Sequence, residues 1–126
     1  MNQKECKPDT TRELYIVTWG KKFRKASPYE VEHNFDVCNL SYKNKKDINL
    51  KKTTGMDDDF KDMIVSTDRA KNFIHSIVRV IETKNLSRIG ISCRQGKHRS
   101  VSIANYLKDC YYPNATVFHY EQKKSY

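Results

Sequence analysis

Arg88-Ile89-Gly90-Ile91-Ser92-Cys93-Arg94-Gln95-Gly96-Lys97-His98-Arg99-Ser100-Val101 is the stretch whose pattern decides the fold. Arg88 to Ser92 is a short, mostly apolar run, as in a buried strand. From about Ser100 to Cys110 the period changes: Val101, Ala104 and Leu107 are spaced to face a core from a helix. The residues between carry one glycine and four cationic or potentially cationic side chains, Arg94, Lys97, His98 and Arg99. A strand, a basic loop and a helix in that order form the repeating unit of a sheet covered by helices.

Working outward, Phe73, Ile74, Ile77, Val78 and Ile81 mark one face of a helix from about Thr67 to Lys84. Ser66 or Thr67 would cap it, and Asp68 suits its first turn. Leu14 to Thr18 reads as a first strand, ended by Trp19-Gly20. A basic loop follows with Lys21, Lys22, Arg24 and Lys25, and Pro28 argues against a helix there. Phe35 to Leu40 reads as a second strand. Ser41 to Lys52 reads as an exposed loop with five lysines, Lys43, Lys45, Lys46, Lys51 and Lys52. Thr53-Thr54-Gly55 marks a turn, and Asp57, Asp58 and Asp59 suit a helix N-terminus. Pro113 closes the region after the second helix, and Thr116-Val117-Phe118 is a last strand. The order predicts one α/β domain, a mainly parallel sheet with helices packed on it. Its expected extent is 14–120, with a loose leader over 1–13 and a polar tail over 121–126 containing Lys123-Lys124. There is no internal repeat and no sign of a second domain.

Composition bounds the function. The chain has 126 residues, 37% hydrophobic and 31% charged, enough for one modest core. No run approaches the roughly 20 apolar residues of a membrane span, so no membrane partner is expected. Met1 to Pro8 is polar and unlike a signal peptide, which predicts an intracellular, cytoplasmic protein. The four cysteines, Cys6, Cys38, Cys93 and Cys110, have no paired C-x-x-C spacing. Neither a zinc site nor a disulfide framework is expected, and scattered His and Asp residues suggest no other metal or cofactor. Asn-x-Ser/Thr triplets at Asn39, Asn85 and Asn114 are then chance matches. The net charge of +9 favours polyanionic partners, with a solvated lysine-rich surface as the plainer alternative.

The Cys93–Ser100 loop is where chemistry is expected. In open α/β sheets, ligands bind beyond the carboxyl ends of the strands, where helix N-termini present backbone N–H groups. Arg94, Gln95, Gly96, Lys97, His98, Arg99 and Ser100 are therefore candidate phosphate ligands. Gly96 permits backbone conformations other residues resist, and Arg99 offers a two-pronged grip on an oxyanion. His119 would join them if its strand lay beside Arg88–Ser92; a strand-end His in water is the other reading. Lys21, Lys22, Arg24, Lys25, Lys43, Lys45, Lys46, Lys51 and Lys52 would track a nucleic-acid backbone if their loops fold to one side. Trp19, Phe23, Tyr29 and Tyr42 would stack on unpaired bases or simply pack. His33 and His75 have no identifiable partners. No helix-turn-helix or zinc finger suggests sequence-specific DNA reading.

The ordered set of short motifs resembles the C-terminal domain of RapZ, a bacterial RNase adapter. Ile16-Val17-Thr18-Trp19-Gly20 resembles that family's opening strand and glycine. Phe35-Asp36-Val37, with Leu40, resembles its Phe-Asp-Val-Arg-x-Leu strand, and Thr54-Gly55-Met56-Asp57 its Thr-Gly-Leu-Asp turn. Gly96-Lys97-His98-Arg99-Ser100-Val101, with Cys93, matches the end of its Gly-Cys-Thr-Gly-Gly-Lys-His-Arg-Ser-Val loop, and His119 its closing His. The resemblance covers residues 14–120. It implies an α/β domain that binds RNA and an amino-sugar phosphate, with Gly96, His98 and Arg99 on the phosphate and exposed lysines on RNA. It also makes a protein partner plausible, since adapters present RNA to a nuclease. Cys38 stands where the family has Arg, Ser41-Tyr42-Lys43 where it has Pro-Asn-Pro, and Arg94-Gln95 where it has Thr-Gly. No Walker-type loop is present, so the family's ATP-binding half is expected to be absent.

The same loop also resembles that of cysteine-dependent phosphatases. Cys93, five residues, then Arg99-Ser100 fits Cys-x5-Arg-Ser/Thr. That resemblance implies Cys93 as nucleophile, Arg99 on the phosphoryl oxygens, and Asp57, Asp58 or Asp59 as general acid. Against it, Ser92 replaces the usual His, and the 26 residues after Ser100 are few for the helices completing that fold.

Overall fold

The computed structural model describes residues 11–38 and 68–126. Strands β1 (Tyr15–Gly20), β2 (His33–Asp36), β3 (Arg88–Cys93), β4 (Thr116–His119) and β5 (Lys124–Ser125) form one sheet in the order β2-β3-β1-β4-β5. The first four are mutually parallel and β5 runs antiparallel to β4. Helix α1 (Asp68–Lys84) leads into β3, and α2 (Arg99–Cys110) carries the chain from β3 across β1 to β4. A 3-10 turn, Tyr120–Gln122, joins β4 to β5. The protein is an α/β domain with a mainly parallel sheet.

Alternation along the strands sorts the sheet into two faces. In register, Ile16 lies opposite Ile89 and Val117, and Ile91 opposite Thr18 and Phe35. Ile16, Phe35, Ile89, Ile91, Cys93 and Val117 share one buried cluster with Ala70, Ile74, Ile77 and Ile81 of α1 and Ile103, Ala104 and Leu107 of α2. Both helices therefore cover the same face. α1 ends as a left-handed Asn85 (φ 54°) turns the chain and the Leu86 amide donates to the Ile81 carbonyl, satisfying an end that would otherwise stay open.

Polar residues hold the other face at β2. The Trp19 indole N–H donates to Asn34 Oδ1 (2.8 Å), and the Asn34 amide donates to Ser92 Oγ (3.1 Å). Gly90 leaves room for this chain of bonds, since a Cβ there would lie 2.4 Å from Asn34 Oδ1. β2 pairs with β3 from His33 to Asp36, although the apolar run points to 35–40, and the Asn34 bonds give its polar first half a place in the sheet. Residues 39 and 40 lie outside the described residues. β5 falls in the stretch whose composition reads as a polar tail; its two exposed residues have no apolar pattern to announce a strand.

Candidate anion-binding site

The parallel pairing of β1 with β3 sets Gly20 beside Cys93 at their carboxyl ends. The loops leaving these strands stay joined: the Lys21 amide donates to the Cys93 carbonyl and the Lys22 amide to that of Arg94, both at 2.9 Å. Two glycines make this approach possible. A Cβ on Gly20 would lie 2.7 Å from the Gln95 backbone, and one on Gly96 would lie 2.6 Å from the Gly20 nitrogen. Gly96 also has φ +73°, which L side chains resist.

Within the loop, the Gly96 amide donates to Cys93 Sγ (3.3 Å), and Sγ sits 3.1 Å from Ser100 Oγ. Cys93 and Ser100 are buried, at 2% and 0% exposure. His98 is buried, Gln95, Lys97 and Arg99 are half-buried, and Arg94 is exposed. α2 starts at Arg99, with no acidic residue in its first turn and no side-chain cap bond from His98. The helix thus presents its positive end at a loop already rich in cations. Backbone N–H groups, a helix N-terminus and several cations around one turn can stabilise an oxyanion.

The basic loop after β1 comes to the same edge, but its charges differ in availability. Lys21 Nζ binds Asp36 Oδ2 at 2.6 Å. The bond to Asp36 and that carboxylate's charge raise the Lys21 pKa. Burial opposes ionisation of Asp36, but bonds from Cys38 and Lys21 outweigh it and hold that carboxyl below its usual range. Burial and the neighbouring Asp36 push the Cys38 thiol up to about 11. Arg24 forks onto Glu121, with Nη2 3.0 Å from Oε1 and Nε 3.2 Å from Oε2. Lys22 lies over the exposed Phe23 ring (5.9 Å to the centroid), and Lys25 is exposed.

The aromatic candidates separate. Trp19 is buried and bonded to Asn34, so it packs. Tyr29 meets the rings of Phe118 and Tyr120 at one edge. His33 lies 4.4 Å from the Phe35 ring. His119 sits on β4, whose sheet neighbours are β1 and β5, so the placement beside Arg88–Ser92 does not occur. Its ring is fully buried, with Nδ1 2.8 Å from Thr18 Oγ1 and Nε2 2.8 Å from Asn105 Oδ1. Burial lowers its pKa to about 4, so the ring is neutral near pH 7. Lys43, Lys45, Lys46, Lys51, Lys52, Tyr42, Asp57, Asp58 and Asp59 lie outside the described residues. Among the described residues no three His, Cys, Asp or Glu side chains gather as a metal site, and no helix is long and apolar enough to cross a membrane.

Sequence reasoning missed Glu121 and Gln122. The Gln122 amide donates to the Lys97 carbonyl (3.3 Å), and Glu121 Oε2 accepts the Gly20 amide (2.9 Å). Their partners lie 25 to 101 positions away, and a short polar tail offers no periodicity to reveal them.

Fold and loop together define a class: an α/β domain whose basic strand–loop–helix turn lies at the carboxyl edge of a parallel sheet. The family model described as the RapZ C-terminal domain matches residues 13–124, and the chain belongs to that family. It is similar to a nucleotide-binding protein of Lachnoclostridium phytofermentans, 31% identical over 107 residues, covering 76% of this chain and 36% of that protein. A nucleotide-binding protein of Mannheimia succiniciproducens is 33% identical over 110 residues, 80% of this chain and 37% of its own. One from Caldanaerobacter subterraneus is 33% identical over 103 residues, 75% and 35% respectively. The chain spans little more than a third of the length of these curated relatives.

Proposed function

We propose that this domain binds phosphate-bearing ligands, RNA or a sugar phosphate such as an amino-sugar phosphate, at the Cys93–Ser100 loop. The observation that carries this reading is the loop's place: it leaves the carboxyl end of a central parallel strand and opens helix α2. There Gly96 turns at φ +73° among Arg94, Lys97, His98 and Arg99. Family membership and the nucleotide-binding relatives support a phosphate-type ligand. The net charge of +9 supports a polyanion, with Arg94 exposed in the loop, Lys22 exposed where its backbone joins that loop, and Lys25 exposed further along the same segment. In this reading the domain works as a binding module, and as an adapter if it also presents bound RNA to a protein partner.

The test is equilibrium binding of a labelled structured RNA across a salt series, with and without glucosamine phosphate. The expected result is binding that weakens steeply with salt and shifts when the sugar phosphate is added. Arg99→Ala should weaken phosphate binding by roughly tenfold to a hundredfold, the scale of a lost charge-assisted bond, while its circular dichroism stays that of wild type. Binding unchanged in that variant would overturn the assignment of the loop.

One observation favours a second reading, a phosphatase. Cys93 Sγ receives the Gly96 amide and faces Ser100 Oγ, the place a Cys-x5-Arg-Ser nucleophile would take. At 2% exposure, Sγ would meet a phosphoryl group only after the loop opens. Aryl phosphate turnover abolished in Cys93→Ser would support it; equal rates in both proteins would sink it.

A further inference from the structure

Glu121 places a carboxylate at the edge of a loop that gathers cations. It is not a surface acid: its side chain is only 12% exposed. Oε2 accepts the Gly20 amide at 2.9 Å, and the two oxygens receive the forked Arg24 guanidinium at 3.0 and 3.2 Å. Its Cγ lies against Gly96, where an added Cβ would sit 2.6 Å from it. Next in sequence, Gln122 holds the Lys97 carbonyl, while Arg24 and Lys123 both lie over the Tyr120 ring, 4.6 and 4.4 Å from its centroid. The 3-10 turn therefore acts as a clamp between the loop after β1 and the loop after β3.

We propose that Glu121 is a positioning residue for the anion loop. It fixes the end of β1 and Arg24, against which Gln95 and Gly96 rest, and so holds the loop in its binding shape. The inference rests on reading Cys93–Ser100 as the anion site. Two cheaper roles predict other behaviour. If the carboxylate merely repelled the ligand or occupied its place, removing its charge would tighten phosphate binding. If it served stability alone, folded variants would bind as wild type does.

The test uses the full chain with inorganic phosphate as probe and compares wild type, Glu121→Gln and Glu121→Ala. Glu121→Gln keeps an acceptor for the Gly20 amide and loses the charged pair with Arg24. Positioning predicts weaker phosphate binding in both, about tenfold in Glu121→Ala and less in Glu121→Gln. Arg24→Ala should weaken binding too, and the double variant Arg24→Ala/Glu121→Ala should lose no more than the worse single one. Unchanged or tighter binding in folded Glu121→Gln would overturn the proposal.

A second readout separates this claim from that of the site itself. Alkylation of Cys93, followed by mass spectrometry, reports loop opening with no ligand present. Glu121→Gln should label Cys93 several-fold faster than wild type under native conditions. If wild type binds no phosphate yet labelling still accelerates, the site reading fails and the clamp stands. Equal labelling rates would overturn the clamp.

Discussion

Gly96 shows how narrow the tolerance of the loop is. It combines φ +73° with a space that a Cβ would share with the Gly20 nitrogen and Glu121 Cγ, each 2.6 Å away. Gly96→Ala should cost at least about 1–2 kcal/mol from the left-handed backbone alone, before any steric shift. It should also abolish phosphate binding, a pairing that denaturant melts and phosphate titration would check together. His119 governs a different response. Its folded pKa of about 4 lies below the ordinary 6.5, so the unfolded chain binds its proton first. The stability this neutral ring contributes is complete above pH 6.5 and drains away as pH falls toward 4, up to roughly 3 kcal/mol. Urea midpoints between pH 7.5 and 5 should fall for wild type and fall less for His119→Gln, which cannot take up the proton.

Among the elements, α1 and the β3–α2 unit were legible because their apolar residues recur with a clean period. Ile74, Ile77 and Ile81 are all buried in the structure, and Ala104 and Leu107 join the core cluster as spaced, whereas Val101 is buried outside it and Ile103 takes a place in it. Ile77→Ala should destabilise the fold by about 2–5 kcal/mol, read from the shift in its denaturant midpoint. β2 was harder, since His33 and Asn34 are polar: Asn34 gains its place from bonds across the sheet to Trp19 and Ser92, and the His33 ring lies against that of Phe35. β5 was unreadable: Lys124 and Ser125 have little strand preference, and only the edge of β4 draws them into the sheet. The loop's candidate ligands could be named because they are consecutive in sequence. The clamp that braces them could not, because Glu121 meets Gly20 and Arg24 across 101 and 97 positions of sequence.

For the molecule as a whole, the surplus of positive charge matters through where it stays uncommitted. Lys21 and Arg24 are engaged by Asp36 and Glu121, whereas Arg94 in the loop and Lys22 and Lys25 in the segment after β1 are exposed. Reversing Lys22 and Lys25 together to Glu should weaken RNA binding and flatten its dependence on salt, by about one unit of slope per lost phosphate contact. Thermal melts of that variant should match wild type, because neither side chain is buried. The chain contains a single tryptophan, Trp19, which is buried with its indole bonded to Asn34 and its own carbonyl carbon 2.7 Å from where a Gly96 side chain would begin. Its fluorescence therefore comes from one known place, at the seam between the sheet and the loop. A red shift of that emission would report the sheet opening, and a change in its intensity at constant wavelength would report the loop moving over an intact sheet.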